Sequence, residues 1–238
     1  MNATLSSRLA LETRALHRSA ERAGFMRRMV RRRFDRRDYC RMLRGLYPIY
    51  EAIEGALERH GDHPVVAGFP LPAGLERGPR IADDLTALWG TDWRDALPVP
   101  DPATAYAGHI RGVEDADPAL VLAHAYVRYF GDLSGGRILA HVVAETLELT
   151  GDRGLAFYRF ESLPRPEALK DAMRRALDAL PLDDAGRDAF VEEARTGFRH
   201  HVHLFEALDP DPGARAPDAG PQLPPPDPSS ARSGSARQ

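Results

Sequence analysis

Apolar residues in this chain recur at steps of three and four through one stretch after another, and that spacing constrains the fold more than any other feature. Met42, Leu46, Ile49, Ile53 and Leu57 mark one stripe, with Asp38 placed to cap its start. Val191, Ala194, Phe198, His201, Phe205 and Leu208 mark another, surrounded by Glu192, Glu193, Arg195, Arg199 and Glu206. Leu5, Leu9, Leu16 and Ala20 share a face near the N-terminus, and Pro118 opens a long apolar segment that reaches Leu149. From Gly61 to Pro102, loops rich in glycine and proline surround a short helix holding Ile81, Leu85, Leu88 and Trp89. The alternation of a half-buried strand is absent, so the spacing predicts an all-α fold.

A chain of 238 residues, 43% of them hydrophobic, fills one core and is short for two. That core is assigned to residues 1–208. Eight of the 20 prolines follow Asp209, and Leu223 is the one large aliphatic residue there, so residues 209–238 read as a disordered tail. A net charge of -3 argues against a nucleic-acid binder, and the single cysteine, Cys40, excludes a disulfide framework. No apolar run approaches the roughly 20 residues that span a bilayer. The first thirty residues carry Arg8, Arg14, Arg18, Arg22, Arg27 and Arg28 without the apolar block of a secretory signal. The expectation is a soluble cytoplasmic protein that meets neither membrane nor nucleic acid.

Four features bear on chemistry. Three glycines fall within the six residues Gly131-Asp132-Leu133-Ser134-Gly135-Gly136, and each costs a helix about 1 kcal/mol relative to alanine. Either they let something bulky approach the backbone, or they form a turn between two helices capped by Asp132 or Ser134. Asp132 stands out because a carboxylate in apolar surroundings needs partners. His17 and Glu21 lie four apart, so they share a helical face, as a metal-ligating imidazole and its carboxylate support do, though a histidine beside an apolar stripe is more often structural. His200, His201 and His203 do not share a face; only His201 sits on the stripe, the other two read as solvated, and a metal site there is not expected. Residues 27–37 hold seven arginines, a solvated face or a dock for an acidic protein.

Taken together, Tyr126-Val127-Arg128-Tyr129-Phe130-Gly131-Asp132-Leu133-Ser134-Gly135-Gly136 and the upstream Leu16-His17, Glu21 and Phe25-Met26 resemble the heme oxygenase family. The likeness continues in order through Leu46-Tyr47-Pro48-Ile49-Tyr50, Gly154 to Phe157, Lys170 with Arg174, and Glu192 to Glu206. It implies a helical domain holding heme between the first helix and a kinked, glycine-rich distal one. His17 would be the proximal iron ligand, steadied by Glu21, with Gly131 and Gly135 over the opposite heme face. Arg14, Lys170 and Arg174 match positions that meet the heme propionates, and Tyr126, Phe198 and Phe205 would pack on the ring. Asp132 would anchor a proton-donating water, with Tyr50, Arg128 and Tyr129 completing its hydrogen-bonded network.

The implied reaction opens heme to biliverdin, carbon monoxide and ferrous iron. Heme serves as both cofactor and substrate, with no other metal. Dioxygen and an electron donor such as ferredoxin or a reductase, docking near Arg27–Arg37, would be the partners. Val127, His201 and Ala10 depart from residues common in the family: threonine, asparagine and a basic side chain. Two other readings stand beside it. One is a heme-storage protein without turnover; the other is a thiaminase-like hydrolase, which would need Cys40 as nucleophile.

Overall fold

The computed structural model describes residues 3–160 and 165–209, and among them every regular element is helical. Eleven α-helices follow in order. α1 spans Leu5–Glu12, α2 Arg14–Arg22, α3 Gly24–Val30, α4 Arg36–Arg59, α5 Pro64–Ala67 and α6 Gly78–Leu88. α7 spans Trp93–Ala96, α8 Asp101–Ala116, α9 Val121–Thr146, α10 Pro166–Ala179 and α11 Asp184–Ala207. The expected all-α fold is the one observed. The expected tail lies outside the described residues, except for Asp209. That carboxylate pairs with Arg28 at 3.0 Å and Arg27 at 3.4 Å.

The stripe from Met42 to Leu57 is the buried face of α4, with Leu43 and Ile49 fully enclosed. Its cap is Asp35, not Asp38: Asp35 accepts from the Asp38 amide at 2.8 Å, and Asp38 returns the bond to the Asp35 amide at 3.3 Å. Two acidic residues three apart both read as caps in sequence, and here they form a reciprocal capping box in which the upstream one leads. The N-terminal face is divided by Thr13, whose hydroxyl donates to the Leu9 carbonyl at 2.7 Å, so Leu5 and Leu9 bury with α1 while Ala20 buries with α2. Pro118 starts a short 3-10 turn, after which α9 begins at Val121.

α9 is unbroken across Gly131, Gly135 and Gly136, which overturns the alternative of a turn between two helices. α4 packs on α6 and α8 and meets α9, while α11 packs on α9, α2 and α8. α3 meets the end of α11 at Gly24, where an added Cβ would collide with the Phe205 carbonyl oxygen and approach Glu206 Cα to 2.9 Å. This leaves α2, α9 and α11 around one groove.

Because the Asp35 cap is exposed, its replacement chiefly removes the bond that closes the helix end. Asp35→Ala lowers folding stability by about 1 kcal/mol, read as a lower urea midpoint at constant slope; an unchanged midpoint would show that the box contributes nothing.

Candidate functional site

The groove is a cleft of about 240 Å³. Arg14, His17 and Arg18 of α2 line one wall, Tyr126, Val127, Phe130, Gly131 and Ser134 of α9 the other, and Phe198 of α11 the back. Residues one helical turn apart share a face, so the α9 wall follows from the steps Tyr126–Phe130–Ser134 and Val127–Gly131. The His17 ring meets Phe198 edge-on at 5.7 Å, and its Nδ1 lies 3.6 Å from Glu21 Oε1. Among the described residues no hydrogen bond holds its Nε2, and the side chain is 47% exposed, open to a ligand.

Glycine at 131 and 135 is explained by space. An added Cβ at either would meet nothing within 4 Å, whereas one at Gly136 would touch the Tyr158 ring at 3.6 Å. So Gly131 and Gly135 keep a surface bare, and Gly136 packs. At the rim, Lys170 Nζ donates to Ser134 Oγ at 3.2 Å, and the Arg174 guanidinium sits 5.7 Å from the Phe130 ring centre. Arg14 and Arg18 are on the facing wall. Arg18 escaped the sequence reading although it lies four residues from Arg14, a spacing that signals a shared face.

Behind the α9 wall is a sealed polar network. Arg128 Nη2 donates to Asp132 Oδ1 at 2.8 Å and to Tyr50 Oη at 2.8 Å, and Tyr50 donates to Asp132 Oδ2. Burial pushes the Asp132 carboxyl upward in pKa, against the pull of the Arg128 cation. Burial also works against charge on Arg128, but Asp132 and Tyr50 outweigh it and its pKa is raised. His201, buried on α11, accepts from Arg128 Nη1 at 3.3 Å. Burial, with Arg128 beside it, holds this imidazole well below its ordinary pKa, and its Nδ1 has no hydrogen-bond partner among the described residues.

Three expectations need correction. Tyr129 does not complete the Asp132 network: its hydroxyl donates to Glu54 Oε1 at 3.3 Å. Phe205 does not line the cleft; it stacks on His201 at 5.8 Å. His200 is not solvated but half-buried, its ring stacked on Tyr106 at 4.7 Å. Tyr129 and His200 sit on predicted helices but turn to partners on other helices that the local sequence does not name, whereas Phe205 packs on His201 one turn before it on α11. Cys40 is fully buried and burial pushes its thiol up to about 12, so it supplies no thiolate nucleophile and the hydrolase reading fails.

The heme oxygenase family profile matches residues 3–207. The chain belongs to the heme oxygenase family. Heme oxygenase 1 of a Nostoc species is 32% identical over 209 residues, covering 88% of this chain and 87% of the relative. Human heme oxygenase 1 is 34% identical over 205 residues, covering 86% of this chain and 71% of the relative. Among solved structures, heme oxygenase-2 of a Synechocystis species in complex with heme and NO superposes with a TM-score of 0.83 at 32% identity, covering 87% and 85% of the two chains. Heme oxygenase from Leptospira interrogans gives 0.82 at 31% identity, covering 86% and 99%.

Glu54, beside Tyr129, accepts from the Arg77 amide at 2.5 Å, and burial raises its pKa from 4.5 to about 7. Between those values the folded chain keeps a proton that the unfolded chain releases, so this group's contribution to stability falls as pH rises. Glu54→Gln removes that dependence. The stability of wild type relative to the variant declines from pH 4.5 to 7 in urea titrations, and a constant difference would show that Glu54 titrates normally.

Proposed function

We propose that this chain is an active heme oxygenase that holds heme in the cleft between α2 and α9. The observation that carries the reading is the free imidazole edge of His17 facing a cleft whose other wall has no side chain at Gly131. A neutral histidine is a common haem ligand, and the bare helix face leaves room for a ring and a small gas. Heme, when bound, supplies the iron at which dioxygen is activated and is itself the substrate, opened to biliverdin, carbon monoxide and ferrous iron with electrons from an external donor.

The chain's own residues bind, orient and move protons. Glu21 steadies the His17 ring from its Nδ1 side. Arg14 and Arg18 on one wall, and Lys170 and Arg174 at the other rim, are placed to meet two propionates and so set the heme's rotation through charge-assisted bonds. Tyr126 and Phe198 offer apolar contact to the ring. Asp132 lies one residue past Gly131, behind the wall, so it acts through a water and not by direct contact. Arg128 and Tyr50 fix the carboxylate that holds this water. Val127 contributes methyl groups where a threonine would add a hydroxyl, which leaves proton delivery to the Asp132 side.

Purified protein given heme, dioxygen and a reductant should lose the Soret band and yield biliverdin on chromatography; bound heme that persists would overturn the reading. His17→Ala should remove the histidine-ligated spectrum. Asp132→Asn keeps its bond to Tyr50, so it should still bind heme while biliverdin formation slows by about 10²-fold.

The donor is an acidic electron-transfer protein that docks on the arginine-rich turn after α3. Arg27, Arg28 and Arg32 pair with Asp209, Asp38 and Glu145, whereas Arg31 and Arg33 are exposed. Ferredoxin-driven turnover should then fall several-fold between low salt and 0.5 M salt, and Arg31→Glu with Arg33→Glu should weaken it at low salt. Salt-independent turnover would remove this surface from the pathway. Among the described residues no helix is long and apolar enough to cross a membrane.

A further inference from the structure

On the side of α11 turned away from the cleft, three helices bring together two imidazoles and a carboxylate. His109 of α8 places Nε2 2.6 Å from Glu193 Oε1, and His124 of α9 places Nε2 2.9 Å from the same oxygen. All three ligand atoms lie within 4.8 Å of one another. His124 is fully buried, and despite the short distance its Nε2 is out of alignment for a hydrogen bond, so it has no hydrogen-bond partner among the described residues. A buried ring nitrogen beside a carboxylate oxygen, with its hydrogen-bonding capacity unmet, calls for a further partner at that point.

We propose that His109, His124 and Glu193 form a binding site for a divalent transition-metal ion of the zinc and ferrous-iron class. Two imidazole nitrogens and one carboxylate oxygen suit borderline cations, whereas calcium and magnesium prefer oxygen throughout. Zinc ligands at about 2.0–2.1 Å in tetrahedral array lie about 3.3 Å apart, so Glu193 needs to withdraw by under about 1 Å to admit the ion. His109 and Glu193 are partly exposed, at 33% and 14% of their side chains, which leaves an entry path and room for water as a fourth ligand.

The surroundings support the ligand chemistry. Tyr106 Oη lies 3.0 Å from His124 Nδ1; with a proton on Nδ1 donated to that hydroxyl, Nε2 is left free for a metal. Gly197 makes the approach possible, since a Cβ there would stand 3.0 Å from Tyr106 Oη and 3.2 Å from His124 Nδ1. The site shares no residue with the heme cleft and does not rest on the heme reading.

The test uses the heme-free full chain with cobalt(II) as a spectroscopic probe and zinc(II) as competitor. One cobalt per chain should bind with visible d–d bands of a nitrogen- and oxygen-ligated site, be displaced by zinc, and resist a large excess of magnesium. Glu193→Gln and His109→Ala, each checked for helicity by circular dichroism, should weaken binding by roughly tenfold or more, while His17→Ala, which removes the proposed heme ligand, should leave it intact. Absence of stoichiometric binding, binding kept in both Glu193→Gln and His109→Ala, or binding lost in His17→Ala would each overturn the proposal.

Discussion

The ion pair between Arg128 and Asp132, sealed inside the helices and shared with Tyr50, is the constraint on which the rest of the site depends. Taking both charges out of water is expensive, and such a pair adds little net stability compared with an apolar replacement. What it supplies here is register. Arg128 and Asp132 lie one turn apart on α9, and Tyr50 reaches them from α4, so the two helices lock at one rotation. Successive residues of a helix are turned by about 100°. With Asp132 fixed against Tyr50, Gly131 and Val127 have to face the cleft, and the bare wall opposite His17 follows.

Much of this was legible in the sequence. The stripes of α4 and α11 appear at their observed places because amphipathic spacing is a local property of a helix with one dry face. His17 and the Tyr126–Gly136 segment could likewise be placed, since four-residue spacing puts Arg128 beside Asp132 and Val127 beside Gly131 whatever the rest of the chain does. Partners between helices were less visible. Tyr129 stands next to Arg128 in sequence, yet its hydroxyl turns to Glu54, a residue 75 positions away. His109, His124 and Glu193 come from three helices, and nothing in the spacing along any one of them announces that they meet. The Thr13 break between α1 and α2 was hidden for another reason: a single turn residue barely shifts the phase of a stripe.

α11 shows how one helix serves distinct environments. Phe198 faces the cleft and touches His17, its neighbour Gly197 makes way for Tyr106 and His124, and Glu193 and His201 meet polar groups of α8 and α9. His201 is the costliest of these, a buried ring with one nitrogen unsatisfied. An asparagine at this position would carry both an acceptor for Arg128 and an amide group. The imidazole instead stacks its face on Phe205 and meets Tyr106 in a T-shaped contact. The exchange keeps the Arg128 contact and trades a hydrogen-bonding option for packing.

Gly24 carries an implication for how wide the mouth of the cleft can be. It follows the helix that bears His17 after a single intervening residue, and its backbone rests on the last turn of α11 with no room for even one methyl group. Any side chain at that point would act as a wedge, prising the His17-bearing helix off its support and enlarging the gap to the glycine wall. A glycine outside the lining of the cleft thus holds the His17-bearing end of the chain close against α11.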